Sequence, residues 1–489
     1  MAICAKGRYD RSMKLSWKLG ITSFIGGFSL MTYELAAARI LAPSVGSSTY
    51  VWTGVIGVII LALSLGCWLG GRLADRRQAP QDISLLLLVA AALVATTLLF
   101  SKDILDWLVM AVVDPRWQAV FSALLLFAPA SFMLGMVSPY LAKLNVSSLD
   151  TAGRSVANLG TLDAIGGIAG TFITGFFLFG AIGLREALVL VICILLAASW
   201  VFMPRWRWRL RSVLASVILA AALCGLRASE PGVVSIETPS VHYSVVDFKT
   251  DGKLVRGLMT GPSGVQSGIY LDGGRELPFW YTRQMVDLTV AAKPSNILLL
   301  GGGAFTMAEN LAKQLPAAQV DVVEIDPALE RISEQYFRYQ PLANVKLIFE
   351  DARTYIQHAD KHYDVVLVDV YSDGEVPFSL LTAEYGRELA RIVKDDGLVV
   401  ANLIAGLNSA PCRALFAAFD AVYRQTWQHA WYAAQNPNLS RTNYIIAYSK
   451  RAKTMQKPMS QFTSLGGKLY TDNFIPSDQL YENCRTSAL

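Results

Sequence analysis

Six stretches of about 20 mostly apolar residues, at 17–41, 50–71, 83–100, 119–142, 157–180 and 184–203, occupy the first half of the chain, and each is long enough to cross a bilayer as a helix. They are too many and too long for a cleaved leader. Positive charge alternates with them. Lys6, Arg8, Arg11 and Lys14 precede the first; Arg72, Arg76 and Arg77 follow the second; Lys143 and Arg154 follow the fourth; Arg205, Arg207, Arg209 and Arg211 follow the sixth. Lys and Arg collect on the cytoplasmic side of spanning helices, so these segments and the N-terminus are expected in the cytoplasm. Residues 1–228 therefore read as a polytopic domain of six or seven helices in the cell (inner) membrane, with the lipid bilayer as its partner.

Composition separates this half from the rest. Over all 489 residues, 53% are hydrophobic and 17% charged, with a net charge of +5. Residues 1–228 carry 19 Lys and Arg against 10 Asp and Glu, whereas 229–489 carry 24 against 28. The soluble-looking half is mildly acidic and has no basic stripe, which argues against nucleic acid as a partner. Six scattered cysteines form no CxxC pair, so neither a disulfide framework nor a zinc site is expected, and Cys484 reads as a bystander. Four histidines without an HExxH motif give metal catalysis little to build on.

Three features of the first half carry open choices. Glu34 and Arg39 sit near one end of the first span and read first as a structural ion pair or as charges snorkelled to the interface. Asp163 lies inside the fifth span, beside the Gly166-x-x-x-Gly170 spacing that lets helices approach closely, so packing is preferred over transport for it. The segment 212–226 has only 15 uncharged residues. A full crossing would put 229–489 outside the cytoplasm, and the preceding arginine cluster resembles a translocated signal-anchor. An interfacial or re-entrant segment would keep that half inside, where nucleotide cofactors are, and the expectation leans that way.

The second half changes period. Residues 229–290 alternate polar and apolar in short runs broken at Asp251-Gly252 and Gly261-Pro262, which predicts a small subdomain of β-hairpins. From 291 the pattern is strand, turn, helix. The apolar run 296–300 leads into Gly301, Gly302 and Gly303 and a helical stretch over 305–314. Glycines without Cβ let a backbone curl under a ligand, whose polar groups then meet amides at a helix N-terminus. Thr306 stands where a dinucleotide fold places its third glycine, which lowers the case for a dehydrogenase. The next strand, from 319, ends at Glu324, where a carboxylate can accept both ribose hydroxyls. Asp326 reads as a cap for the helix beginning at Pro327. A third strand at 345–349 ends at Glu350 and Asp351, and a fourth at 364–369 ends at Asp369. These acids all fall at strand C-terminal ends, the rim where open α/β sheets bind ligands. The fold class is thus a multi-span α-helical membrane domain, a small β subdomain, and a Rossmann-like α/β methyltransferase-type domain over 291–489.

Gln266, the region of Tyr281, the three glycines, Val323-Glu324-Ile325-Asp326, Glu350-Asp351-Ala352 and Val368-Asp369 followed by Pro377 and Leu381-Thr382-Ala383-Glu384 together resemble the spermidine synthase (polyamine aminopropyltransferase) family. The likeness covers essentially all of 233–405, and the whole chain resembles the membrane-fused branch. It implies that Gly301, Gly302, Gly303, Glu324, Asp351 and Gln266 hold the nucleoside of decarboxylated S-adenosylmethionine or S-adenosylmethionine, used as a co-substrate without a metal. Asp369 would be the general base that receives a proton from the attacking amine. Tyr281, Asp373 and Glu375 would hold that small-molecule amine.

Three departures weaken polyamine recognition. The Asp that follows the family's glycines is Ala304 here; its Tyr-His-Glu signature reads Tyr281-Thr282-Arg283; and the acid three residues after the catalytic Asp is absent, with Asp373 and Glu375 close by as substitutes. A donor that keeps its carboxylate would suit Ala304, with Arg283 as its pair, so methyl transfer or lyase chemistry stands as the second reading. A nucleoside-binding membrane transporter or sensor without turnover is the third. The oligomeric state is open, a homo-oligomer included.

Overall fold

The computed structural model describes residues 2–489 except 47–48, 113, 147–148, 203–207, 228–231, 239–240, 261–263, 275, 372–373, 456–457 and 487–489. The chain divides into two units, Met1–Glu230 with Glu237–Pro239, and Pro231–Ile236 with Ser240–Leu489.

The first unit is helical. Four of its helices, Trp17–Val45, Thr49–Arg76, Pro80–Ala111 and Ala152–Ala181, are long and apolar enough to cross a membrane. The fourth expected span is instead a pair of helices, Arg116–Leu126 and Ala128–Asn145, bent by 55°. Pro129 explains the break, since proline has no amide to continue the ladder and its ring crowds the preceding turn. The Leu126 carbonyl at the bend accepts from Tyr33 Oη at 2.9 Å and Thr97 Oγ1 at 2.8 Å, and those two hydroxyls are 2.7 Å apart. Without such partners a backbone carbonyl in an apolar interior costs several kcal/mol. Leu184–Trp200 follows, with 17 residues, and Trp208–Arg227, with 20.

Close packing in this unit runs through glycine. A Cβ on Gly166 would run into the Phe24 carbonyl, and one on Gly27 into that of Asp163. Gly66 and Gly135 bring Thr49–Arg76 and Ala128–Asn145 together in the same way, with Phe132 and Leu63 as the obstacles. Asp163 therefore lies on a packed helix face, as its glycine neighbours suggest. The Glu34–Arg39 ion pair does not form: the Arg39 guanidinium is 3.7 Å from Glu237 and donates to the Thr238 carbonyl at 2.9 Å. A five-residue helical spacing points two side chains to different faces, and only i+3 and i+4 neighbours meet.

The second unit opens with an antiparallel sheet of β1 (Val233–Glu237), β2 (His242–Thr250), β3 (Lys253–Thr260) and β4 (Val265–Tyr270) in sequential order. The β2–β3 turn is the expected Asp251-Gly252, with φ of 50° and 76°, the left-handed pair that matches strand twist in a two-residue hairpin. The Gly261-Pro262 turn lies outside the described residues. Helix Trp280–Ala292 then leads into a larger sheet. Its strands are β5 (Asn296–Leu300), β6 (Gln319–Glu324), β7 (Val345–Phe349), β8 (Tyr363–Val368), β9 (Val393–Ala405), β10 (His429–Ala434), β11 (Thr442–Ser449) and β12 (Ser460–Gln461). They lie in the order β12-β10-β11-β9-β8-β5-β6-β7. β5 to β9 are parallel, and β11, β10 and β12 run antiparallel at one side. The central strands bury both faces: Ile297 and Leu299 pack in one core, Leu298 and Leu300 in the other. That is why β5 reads as a continuous apolar run and not as an alternating one.

One covalent feature corrects the sequence reading. Cys412, on helix Ala410–Arg424, and Cys484, on helix Ser477–Thr486, form a disulfide across 72 residues. Both are buried, so Cys484 is no bystander. Cysteine spacing along the chain carries no information about a pair brought together by helix packing.

Candidate active site

The chain reverses direction across the sheet between β5 and β8, and an open α/β sheet leaves a crevice beyond its strand ends at such a point. Backbone bonds hold the rim in register. Gly301 N–H donates to the Val323 carbonyl, Asp369 N–H to Leu300 and Glu350 N–H to Glu324, each at 2.9 Å. The glycine turn, Glu324, Asp351 and Asp369 are thus fixed at the ends of four neighbouring strands.

Each glycine has its own reason to be there. Gly301 has φ of 91°, and a Cβ on it would run into the Asp369 carbonyl. Gly302 leaves room for the Phe305 ring, and Gly303, with φ of 51°, lies where a Cβ would approach Ser267 of β4 at 3.2 Å. Phe305 itself takes a left-handed φ of 54° to start helix Thr306–Gln314. Ala304, at the position after the glycines, is fully buried and brings no charge to the turn.

Glu324 is the tie between strand ends. Its Oε2 accepts from Gly302 N–H at 2.8 Å, and its Oε1 from Ile325 N–H at 2.9 Å and Asp326 N–H at 3.2 Å. Burial raises its pKa, and those three backbone donors pull against the rise. Three of the four lone-pair sites of the carboxylate are thus taken, and the fourth, on Oε2, is left for a ribose hydroxyl. Asp326 caps the following helix, accepting from Ala328 N–H at 3.0 Å. Asp351 also caps its helix, with Oδ1 accepting from Thr354 N–H at 3.0 Å; its exposed side chain stands at the outer end of the rim.

Asp369 ends the rim beyond β8. Burial pushes its pKa up to about 6, opposed by the hydrogen bond that Asn402 Nδ2 donates to Oδ1 at 2.9 Å. Asn402 is held in turn, its Oδ1 accepting from Asn443 Nδ2 at 3.0 Å and its backbone carbonyl from Tyr371 Oη at 3.0 Å. Tyr281, buried, and Tyr371, half-buried, are phenols whose pKa values rise well above 10, first through desolvation, with the charge of Asp369 adding to the rise. Such a carboxylate is mostly ionised near neutrality yet able to take a proton, the property a general base requires. Asn402, Asn443 and Tyr371 carry no sequence motif; the β8–β9 pairing sets Asn402 beside Asp369, and the β9–β11 pairing adds Asn443.

The remaining expected residues divide. Tyr281 donates to the backbone carbonyl of Gln266, whose side-chain amide donates to Thr260, so these two brace β4 against helix Trp280–Ala292 beside the turn. Glu375 is half-buried in the segment after Asp369, and Asp373 lies outside the described residues. Arg283, expected to pair with a donor carboxylate in the second reading, donates from Nη1 to the carbonyls of Leu277 at 2.7 Å and Pro278 at 2.9 Å, at the entry to its own helix. Among the described residues no group of three or more His, Cys, Asp or Glu side chains is set to hold a metal ion.

The spermine/spermidine synthase domain family matches residues 278–404. A polyamine aminopropyltransferase of Vibrio vulnificus is 30% identical over 217 residues, 42% of this chain and 73% of that protein. Polyamine aminopropyltransferase 1 of Streptomyces coelicolor is 23% identical over 405 residues, covering 76% of this chain and 72% of its own, more than the C-terminal half can hold, so the likeness runs into the apolar half. Among solved structures, a probable spermidine synthase from Corynebacterium glutamicum aligns with a TM-score of 0.42 at 21% identity, over 50% of this chain and 99% of that one.

Proposed function

The chain belongs to the spermine/spermidine synthase family, and from that premise we propose that it is a membrane-bound aminopropyltransferase. It would transfer an aminopropyl group from decarboxylated S-adenosylmethionine to an amine of the putrescine kind and release methylthioadenosine. The observation that carries this reading is the placement on one rim of Glu324, tied to the glycine turn, and Asp369, a half-buried carboxylate with a pKa near 6, at strand ends separated by β5 alone. In this reading the turn and Glu324 hold the nucleoside, with Asp351 and Gln266 beside it. Asp369 takes the proton as the neutral amine attacks the carbon next to the sulfonium. The sulfonium is already a good leaving group, so positioning supplies much of the rate.

Ala304 favours a second reading, transfer or elimination from S-adenosylmethionine itself, because a buried methyl replaces the acid that would hold the donor's amine. Purified full-length protein incubated with either donor and a panel of amines, with mass detection of methylthioadenosine, S-adenosylhomocysteine and new amines, decides between them. Methylthioadenosine formed only with an amine, and lost in Asp369→Asn, supports aminopropyl transfer. S-adenosylhomocysteine supports the second reading, and tight nucleoside binding with no product from any donor refutes both.

A further inference from the structure

We propose that the C-terminal unit works on the far side of the membrane from the N-terminus, in an oxidising compartment, where the Cys412–Cys484 disulfide locks the segment that follows Asp369. This goes beyond the aminopropyltransferase reading and does not depend on it.

The first support is the disulfide itself. Such bonds persist in secreted and extracytoplasmic proteins and are rare in the cytoplasm, where thiol pools keep cysteines reduced. As the bond forms, the two thiols give up two protons and two electrons. The electrons reduce the disulfide of a thiol–disulfide oxidoreductase to its dithiol, chemistry found in oxidising compartments.

The second support is the helix Trp208–Arg227. The helix has 20 residues, of which the uncharged stretch 212–226 extends about 22 Å at 1.5 Å per residue, so a crossing would set Arg209, Arg211 and Arg227 at the two interfaces. Ala215 and Ala222 are buried in the helical core and Ile218 packs against it, so one side of the helix belongs to the bundle. On its other sides Val213, Leu214, Val217 and Leu223 are exposed, and Ser212–Cys224 contains no charged residue. An interfacial helix needs a polar or charged face to meet water and headgroups. This one has apolar side chains where that face would be, as a spanning helix does.

The third support is charge parity. If each of the seven helical segments crosses once, the bent pair counted as one, then four basic groups fall on a single side: Lys6 to Lys14, Arg72 to Arg77, Lys143 with Arg154, and Arg205 to Arg211. The opposite ends carry Arg39 near Glu34, Lys102 and Arg116 among Asp103, Asp106 and Asp114, Arg185 beside Glu186, and Arg227, fewer cations and more closely matched by acids. The positive-inside rule makes the first side cytoplasmic and delivers residues after 227 to the other. The cytoplasmic placement favoured by nucleotide chemistry is thereby reversed, and substrates are confined to those present in, or delivered to, the outer compartment.

The bond also reaches the candidate site. Cys484 lies three residues beyond Tyr481, whose hydroxyl accepts from Val376 N–H at 3.0 Å, seven residues after Asp369. The disulfide fixes helix Ser477–Thr486, and Tyr481 on that helix holds the segment.

Two measurements test this without any turnover. In cells producing the full chain, alkaline phosphatase fused after residue 235 is expected to be active and after residue 205 inactive. Membranes from cells lysed into alkylating reagent should yield a Cys412–Cys484 linked peptide, with Cys67, Cys193 and Cys224 alkylated. An inactive fusion at 235, or alkylated Cys412 and Cys484, overturns the placement. For the lock, dithiothreitol applied to the purified full chain should raise amide exchange at 374–381 at least tenfold while β5 and β6 stay protected, and the Cys412→Ser/Cys484→Ser protein should match the reduced state. Unchanged protection at 374–381 after complete reduction overturns the lock, and this arm stands even if the double variant fails to fold.

Discussion

Replacing Asn402 by leucine of similar size removes the side-chain donor that, among the described residues, opposes the burial of Asp369. Asn402 is 3% exposed and its Nδ2 sits 2.9 Å from Asp369 Oδ1, so water has little room to take its place. A hydrogen bond to a charged group contributes about 1.5–3 kcal/mol. At about 1.36 kcal/mol per pK unit, its loss moves the carboxyl upward by roughly 1–2 units, from about 6 to roughly 7–8. A base must be deprotonated, so the acid limb of kcat/KM for methylthioadenosine release should shift upward by that amount. Activity at pH 7 should fall roughly twofold to tenfold, while the rate above about pH 9 changes much less. Asn443 loses its acceptor in the same variant, and a buried unpaired donor costs about 1–3 kcal/mol of stability, so folding is checked by denaturation in parallel. A folded Asn402→Leu enzyme with an unmoved acid limb would refute either the base role of Asp369 or the control that Asn402 exerts over it.

Four further outcomes follow from the same geometry. Asp369→Asn should abolish turnover yet stabilise the protein at pH 8 by up to about 3 kcal/mol. The folded pKa of Asp369 lies above its unfolded value, so its burial penalty is full above pH 6 and fades as pH falls towards 4, where the gain should vanish in urea titrations. Glu324→Gln should weaken methylthioadenosine binding about tenfold or more by calorimetry, since three backbone donors and the ribose lose a charged acceptor; unaltered affinity would remove Glu324 from the nucleoside cradle. Gly301→Ala should lose at least about 1–3 kcal/mol in denaturant unfolding, because its left-handed φ is strained for alanine and the added Cβ meets the Asp369 carbonyl. Gly166→Leu should lower the melting temperature in detergent through its clash with Phe24, whereas Gly160→Leu on the same helix, with open space around it, should not.

Local chemistry made much of this molecule legible from its residues. Apolar length marked the helical half, although composition could not show that Pro129 splits one span into a bent pair whose carbonyl needs Tyr33 and Thr97. Alternating and continuous apolar runs marked the strands, and glycine or acid at four successive strand ends marked the rim, because a turn that must admit a backbone or a ligand selects its residues within a few positions. Arg283 showed the limit of that approach: its charge was readable, but its partners were carbonyls at its own helix entry.

Only the tertiary structure decided what depends on distant segments meeting. Asn443 reaches Asn402, and through it Asp369, because β11 pairs with β9 across about forty residues of chain. Cys412 meets Cys484 because two helices dock, and Tyr481 holds Val376 for the same reason. By itself the sequence determined the elements, the rim and the family, since periodicity and turn chemistry are written over neighbouring residues. The tuning of Asp369 and the covalent lock on its segment came from pairing and packing, which no local pattern encodes.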